Sequence, residues 1–205
     1  MTFLPARIVA TAGSLLFLAG CVDATVDIDV ISPTTARASM TQVMGAEFYS
    51  LIKPDLDKPM AGTADGKHRM ERFCAKGELV ENADGSAACY FSQKGDFATI
   101  LLGRDQQRVR FTPLGDGLVR VELSLVGIAE EVGAHRWDDE KTRQMNQSLF
   151  SGHTCTLRFG GLEVVDTNMS LSPDKRSAEQ VVHFLDLING TAGLPATLYA
   201  VVRVK

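Results

Sequence analysis

The chain has 205 residues, of which 45% are hydrophobic and 22% charged, a composition typical of a globular protein with one domain or at most two. Its 21 Lys and Arg residues against 25 Asp and Glu residues give a net charge of −4, and no basic cluster is present. A nucleic-acid partner is therefore not expected. Beyond the N-terminus no uncharged apolar stretch reaches about 18 residues, so a multi-pass membrane protein is excluded.

The N-terminal segment, residues 1–20, is predicted to be an export signal. A single positive charge precedes the uncharged apolar stretch Ile8–Gly20, which is the order found in secretory signal peptides. The stretch ends in a run that resembles the lipobox of bacterial lipoproteins, Leu18-Ala19-Gly20-Cys21. This resemblance implies that diacylglycerol is attached to the Cys21 thiol and that the chain is cleaved between Gly20 and Cys21. Acyl groups on one residue hold a protein durably on a membrane surface.

The residue after the cysteine bears on the expected location. It is Val22 rather than Asp, and the sorting rule of enteric Gram-negative bacteria then permits transfer to the outer membrane. We therefore expect a lipid-anchored protein of the cell envelope, on the periplasmic face of the outer membrane in preference to the inner membrane. The chain ends without an apolar segment, so Cys21 is the expected sole membrane attachment.

The first structured elements are predicted to follow a short tether over residues 21–24. Apolar and polar residues alternate over 25–30, which indicates a half-buried strand. A proline turn leads to a second predicted strand over 35–42, with Ala36 and Ala38 facing inward. Helical spacing of apolar residues then predicts a helix over 44–52 that Pro54 ends.

The middle of the chain contains two predicted hairpins. The first joins strands over 78–81 and 87–93. The second joins strands over 108–112 and 118–126 across Gly115-Asp116-Gly117, because Asp-Gly is a strong signal for a tight turn.

The last third of the chain is predicted to hold one helix and three strands. The helix covers residues 139–151, with acidic residues in its first turn and Gly152 after its end. The strands cover 153–166, 178–185 and 196–203. Residues 25–205 are thus expected to form a single α+β domain, a mainly antiparallel sheet packed with two or three helices.

Three cysteines remain after Cys21, which allows three pairings with one thiol left over. We favour a Cys74–Cys89 disulfide, because a helical turn followed by a hairpin can fold back over that distance and the exported environment is oxidising. Cys155 is then expected to be a buried small apolar residue.

The search for catalytic chemistry finds no constellation. His153 and Cys155 share a strand face, but a zinc site needs three or four ligands, and the other histidines show no ligand spacing with them. There is no Gly-x-Ser-x-Gly nucleophile motif either. We therefore expect no enzyme activity, no cofactor and no metal.

A surplus of apolar side chains is the sequence feature that hints at binding. Such a surplus can line a pocket, although packing of the core under the helices is the more common use. The residues concerned are Phe48, Leu51, Phe97, Ile100, Leu101 and Leu102.

Two segments resemble the LppM-type domains of bacterial lipoproteins. One is the opening from Cys21 through the strand Thr25–Val30, and the other spans residues 162–187, including Leu162–Asn168 and the turn Ser172-Pro173-Asp174. The resemblance implies a sheet-and-helix domain with affinity for lipids or glycolipids of the envelope. It supplies no catalytic residues.

These observations predict a membrane-anchored, non-enzymatic envelope lipoprotein that binds a lipid, another amphiphile or an envelope component. The alternative is a structural or assembly factor that contacts an envelope protein through a flat interface. For that alternative the candidate surface is an exposed strand edge at Ala196–Val204.

Overall fold

The fold is given by a computed structural model that describes residues 22–56, 73–74, 77–100, 109–126 and 140–205. Its strands, in chain order, are β1 (Val22–Val30), β2 (Thr35–Met44), β3 (Glu78–Glu81), β4 (Ala87–Asp96), β5 (Val109–Gly115), β6 (Leu118–Ser124), β7 (Thr154–Gly160), β8 (Glu163–Thr167), β9 (Ser170–Leu171), β10 (Ser177–His183) and β11 (Thr197–Arg203). Its helices are α1 (Ala46–Leu56), α2 (Glu140–Phe150) and α3 (Phe184–Ile188).

The strands form two sheets. Sheet A has the order β3-β4-β2-β1-β7-β10-β9, and sheet B has the order β5-β6-β11-β8. Neighbouring strands are antiparallel except for β1 and β7, which are parallel. The predicted α+β class, mainly antiparallel with two or three helices, is therefore confirmed, with the strands divided between two sheets and one parallel pair added.

The two sheets pack face to face over one half of sheet A. We call the contact between them the intersheet core. From sheet A it takes Ile28 and Phe159, and from sheet B it takes Val121, Leu198 and Val202, each no more than 1% exposed. Alternation with period two in each strand supplies this apolar face and leaves the opposite face polar.

A second cluster, the helix core, lies where α1 packs against sheet A. It contains Met44, Ala87 and Cys89 from the sheet and Tyr49 from the helix, with the Phe73 ring 6.3 Å from the Tyr49 ring, centroid to centroid. Because Tyr49 is only 4% exposed, the helix is held by one buried face. Among the described residues, no helix is both long enough and apolar enough to span a membrane.

Both predicted hairpins are present, and the second has the turn that its sequence requires. Asp116 and Gly117 have φ angles of 51° and 70°. Positive φ at both central residues defines the type I′ turn, which matches the twist of the flanking strands and explains the Asp-Gly pair.

Four of the predicted boundaries are wrong in instructive ways. The first strand begins at Val22 rather than residue 25, because residues 22–24 already pair with β2, so only Cys21 is left of the predicted 21–24 tether. Helix α1 continues through Pro54 to Leu56, since a proline near the last turn removes only one late backbone hydrogen bond. The third is the single strand expected over residues 153–166.

That stretch is divided between the sheets. β7 lies in sheet A and β8 in sheet B, and the chain crosses at Gly160 and Gly161. A Cβ on Gly161 would lie 2.9 Å from Cγ1 of Val202 and 3.1 Å from the Arg203 carbonyl oxygen, so this close approach requires glycine. β10 likewise ends at His183, two residues before the predicted end, because Phe184 begins helix α3.

Candidate functional site

The face of sheet A that packs against sheet B is called its inner face. A row of apolar side chains crosses this face between the intersheet core and the helix core. We call it the central row. Its members are cross-strand neighbours on β4, β2, β1 and β7, namely Phe91, Met40, Val26 and Leu157. With strands about 4.8 Å apart, the row is about 14 Å long. It continues on β10 at Gln180, the neighbour of Leu157.

The central row is half-buried, whereas its flanks are covered. Towards sheet B, Ala38 and Phe159 are 0% exposed. Towards α1, Met44 and Ala87 are also 0% exposed. The row between them keeps intermediate exposure at every position, and its Val26, Met40 and Phe91 belong to no buried cluster formed by the described residues. The central row is therefore a half-buried apolar strip between covered flanks, and we refer to this strip as the trough.

The groups beside the central row are neutral. The next row towards α1 contains Gln42, Ala24 and Cys155, which are paired across β2, β1 and β7. Burial raises the pKa of the Cys155 thiol to about 11, so this thiol is protonated at neutral pH. Since a thiolate is the nucleophilic and metal-binding form, Cys155 acts here as an apolar side chain.

The opposite face of the same strands is charged. On β7, the Arg158 guanidinium lies between two carboxylates, 3.1 Å from Oδ1 of Asp27 and 3.0 Å from Oε2 of Glu179. The hydrogen bond to Glu179, followed by the charge of Asp27, raises the pKa of Arg158. The sheet therefore has one neutral, apolar face and one face bearing ion pairs.

The start of β1 is fixed by a side chain close to the predicted lipidation site. The backbone N–H of Thr154 donates to Oδ1 of Asp23 at 2.8 Å, and Nδ1 of His153 lies 3.4 Å from Oδ2 of Asp23. Asp23 thus ties the first strand to the beginning of β7, 131 residues later. In the described residues no group of three or more His, Cys, Asp or Glu side chains has the arrangement of a metal site.

The structure joins Cys74 to Cys89, with 2.06 Å between their Sγ atoms, and leaves Cys155 free. Cys89 is 4% exposed in the helix core. A Cβ on Gly77 would lie 2.6 Å from the Tyr90 carbonyl oxygen and 2.8 Å from Sγ of Cys89, so the chain near the disulfide requires glycine there.

Of the other predicted site residues, those that the structure describes lie outside the central row. Gly20 and Cys21 lie outside the described residues, as do Leu101 and Leu102 of the apolar surplus. The surplus residues that are described go to different places. Phe48 packs on the helix core, Phe97 stacks on Phe111 with 4.4 Å between ring centroids, and Ile100 is 6% exposed. Leu51 is 73% exposed on α1.

Phe48, Phe97 and Ile100 thus have the more common of the two uses considered from the sequence, packing of a core, rather than lining one pocket. The central row was missed, although alternation in β2, β4 and β7 could have put its members on one face. Periodicity assigns a side chain to a face, but it does not say whether a second layer covers that face.

The prediction of an exposed strand edge at Ala196–Val204 is wrong. β11 lies inside sheet B, paired with β6 on one side and β8 on the other. Its alternating side chains Leu198, Ala200 and Val202 are 0% exposed because they form the intersheet core. The described edges of the two sheets are β3, β9, β5 and β8.

Comparison with known proteins finds one distant structural likeness. No protein-family model matches the chain, and no curated protein matches it. Among solved structures, the chain is similar to the folded domain of LppM from Mycobacterium tuberculosis, with 12% identity, 90% of each chain covered and a TM-score of 0.37. That domain belongs to the family that the two sequence segments resemble. A likeness at this level carries no argument about function.

Proposed function

We propose that this protein is a bacterial envelope lipoprotein that is fastened by acyl groups on Cys21 and binds one apolar chain of an amphiphile in the trough of sheet A. It acts without catalysis, and its ligand is a lipid or glycolipid of the envelope. The observation that carries the proposal is the half-exposed central row between two covered cores.

The chemistry of the trough suits an acyl chain. Its floor is apolar and its neighbouring row is neutral, so within these rows of described residues a hydrocarbon chain meets no charge that would need a partner. Burying about ten methylene groups would contribute about 8 kcal/mol, from which the lost freedom of the ligand is subtracted. The half-buried amides of Gln42 and Gln180 can hydrogen-bond the ester or hydroxyl groups of a lipid.

The place of the trough relative to the anchor supports the same proposal. Val26 follows Val22 by four residues, so the central row lies about 13 Å along the sheet from the start of β1. If Cys21 carries acyl groups, the trough is close to a bilayer, which is the source of its ligand. Val22, as the second mature residue, favours the outer membrane.

Native mass spectrometry of the full chain, extracted from membranes in detergent, tests the ligand. We expect one noncovalent lipid adduct on the acylated protein, released by collisional activation. The variant Met40→Lys places a charge in the central row and should lose this adduct. The matched control Thr41→Lys places the same charge on the opposite face of β2 and should keep it.

Absence of a lipid adduct on the unsubstituted protein would overturn the proposed ligand. Equal occupancy in Met40→Lys and Thr41→Lys would overturn the proposed site. Both variants are compared by thermal unfolding, so that a loss of folding is recognised. A stoichiometric protein in place of a lipid would favour the assembly function.

Metabolic labelling with radioactive palmitate tests the anchor. We expect the label in the full chain and not in Cys21→Ser, which should also leave the membrane fraction. An unlabelled protein, or a membrane fraction unchanged by Cys21→Ser, would contradict lipidation of Cys21.

A further inference from the structure

Helix α1 lies across one end of sheet A. It begins at Ala46, two residues after Met44, the cross-strand partner of Val22. From there it reaches the end of β3, where Tyr49 Oη donates to Oε1 of Glu81 at 2.7 Å and Lys53 Nζ lies 2.7 Å from Oε2 of the same carboxylate. The helix therefore passes from β2 over β4 to β3, at the end of the sheet where β1 starts.

The start of β1 leaves no free linker at that end. Val22 is paired with Met44 on β2, and Asp23 is tied to Thr154 on β7. In the sequence, Cys21 directly precedes Val22. An anchor on Cys21 therefore brings the end of the sheet, with α1 across it, to the level of the lipid headgroups.

Among the side chains of α1 that the structure describes, one large apolar residue is exposed on the outward side. Glu47, Ser50, Leu51 and Pro54 are exposed on it. Leu51, at 73%, is the most exposed large hydrophobic side chain among the described residues. Lys53 and Glu81 neutralise each other, so this pair adds no net charge at the surface.

We propose that α1 lies on the surface of the bilayer that holds the anchor and inserts Leu51 between the lipids. The occupant of this surface is the membrane itself, and the strands of sheet A stand away from it. This inference rests on the proposed acylation of Cys21. It adds a second contact with the membrane and a fixed orientation of the domain.

Depth-dependent fluorescence quenching tests the contact. The full acylated chain, in a Trp137→Phe background, is reconstituted into vesicles of phosphatidylethanolamine and phosphatidylglycerol that carry bromine on their acyl chains. The Leu51→Trp variant should lose about half of its emission or more, because an interfacial helix buries its apolar side at the headgroup boundary.

The matched control is Leu162→Trp, which should keep its emission. Leu162 is 43% exposed and follows Gly161, beyond the end of β7 that is remote from Asp23. β7 runs parallel to β1, so the two leucines lie at opposite ends of the sheet.

Palmitate labelling of the same preparations separates the two proposals. Acylated protein with no quenching in Leu51→Trp, or with equal quenching in both variants, would overturn the membrane contact of α1 and leave the anchor standing. Protein without palmitate would overturn the anchor and this inference together. Quenching confined to acylated Leu51→Trp would support both.

Discussion

Two parts of the inner face of sheet A are built from the same strands with the same alternation, yet they differ in burial. On β7, Phe159 is 0% exposed beneath sheet B, whereas Leu157, two residues earlier on the same face, is half-buried. On β1, Ile28 and Val26 differ in the same way. Ile28 and Phe159 lie within the intersheet core, whereas Leu157 packs against it while still partly exposed and Val26 belongs to no cluster of described residues.

This comparison shows why an apolar face is not in itself evidence of a core. The covered part contributes to folding because its side chains have left water. The central row has surface still to bury, which makes it available to a ligand. Substitutions on either part of the face therefore test this division.

Truncation at the two positions of β7 should give unequal losses. Phe159→Ala is expected to lower the free energy of unfolding by about 3–5 kcal/mol, because it opens a cavity in the intersheet core. Leu157→Ala should cost about 1–2 kcal/mol, since its side chain is only half-buried. Urea unfolding measures both, and equal losses would refute the division of the face.

The disulfide should contribute about 3 kcal/mol to the free energy of unfolding, because it closes a loop with a sequence separation of 15 residues. The double variant Cys74→Ala and Cys89→Ala should show this loss in urea without reductant. In the presence of reductant, the unsubstituted chain should approach the variant. A reductant effect of similar size in the double variant would show that the bond is not its cause.

The charged face of β7 should matter much less than the apolar one. Arg158→Gln is expected to lower the free energy of unfolding by less than about 1 kcal/mol, because Arg158 and its carboxylate partners are all partly exposed to solvent. The loss should shrink further at about 1 M salt. A loss as large as that of Phe159→Ala would contradict the claim that the apolar face contributes more to stability than the charged face.

The smallest effect is expected where α1 meets β3. The hydrogen bond from Lys53, followed by that from Tyr49, lowers the pKa of Glu81 below its ordinary 4.5. The stabilisation is therefore present above about pH 4.5 and is lost as the pH falls through the folded-state pKa. Glu81→Gln should be less stable than the unsubstituted chain at pH 7, and the difference should vanish in acid. A stability difference that grew as the pH fell would contradict the prediction that the ionised form of Glu81 is the stabilising one.

Alternation made the local parts of the fold readable from the sequence. In the strands predicted over 118–126 and 196–203 apolar and polar residues alternate, and the apolar Val119, Val121 and Leu198 are fully buried. The Asp116-Gly117 turn was likewise predictable, because the type I′ turn selects residues that tolerate positive φ.

Long-range pairing could not be read in the same way. β1 pairs with β7 across more than a hundred residues, and β11 is enclosed by β6 and β8. Each local pattern fits several neighbours equally well, so the predicted edge at Ala196–Val204 failed. The central row was missed for the related reason that its exposure depends on where sheet B ends.

Photochemical cross-linking tests the central claim most directly. A palmitate analogue carrying a diazirine on its chain is added to the full-length protein in detergent, and the adducts are mapped residue by residue. We predict adducts on Phe91, Met40, Val26 and Leu157, with none on the outward residues between them. Adducts confined to the outward face, or scattered over both faces, would contradict binding in the trough.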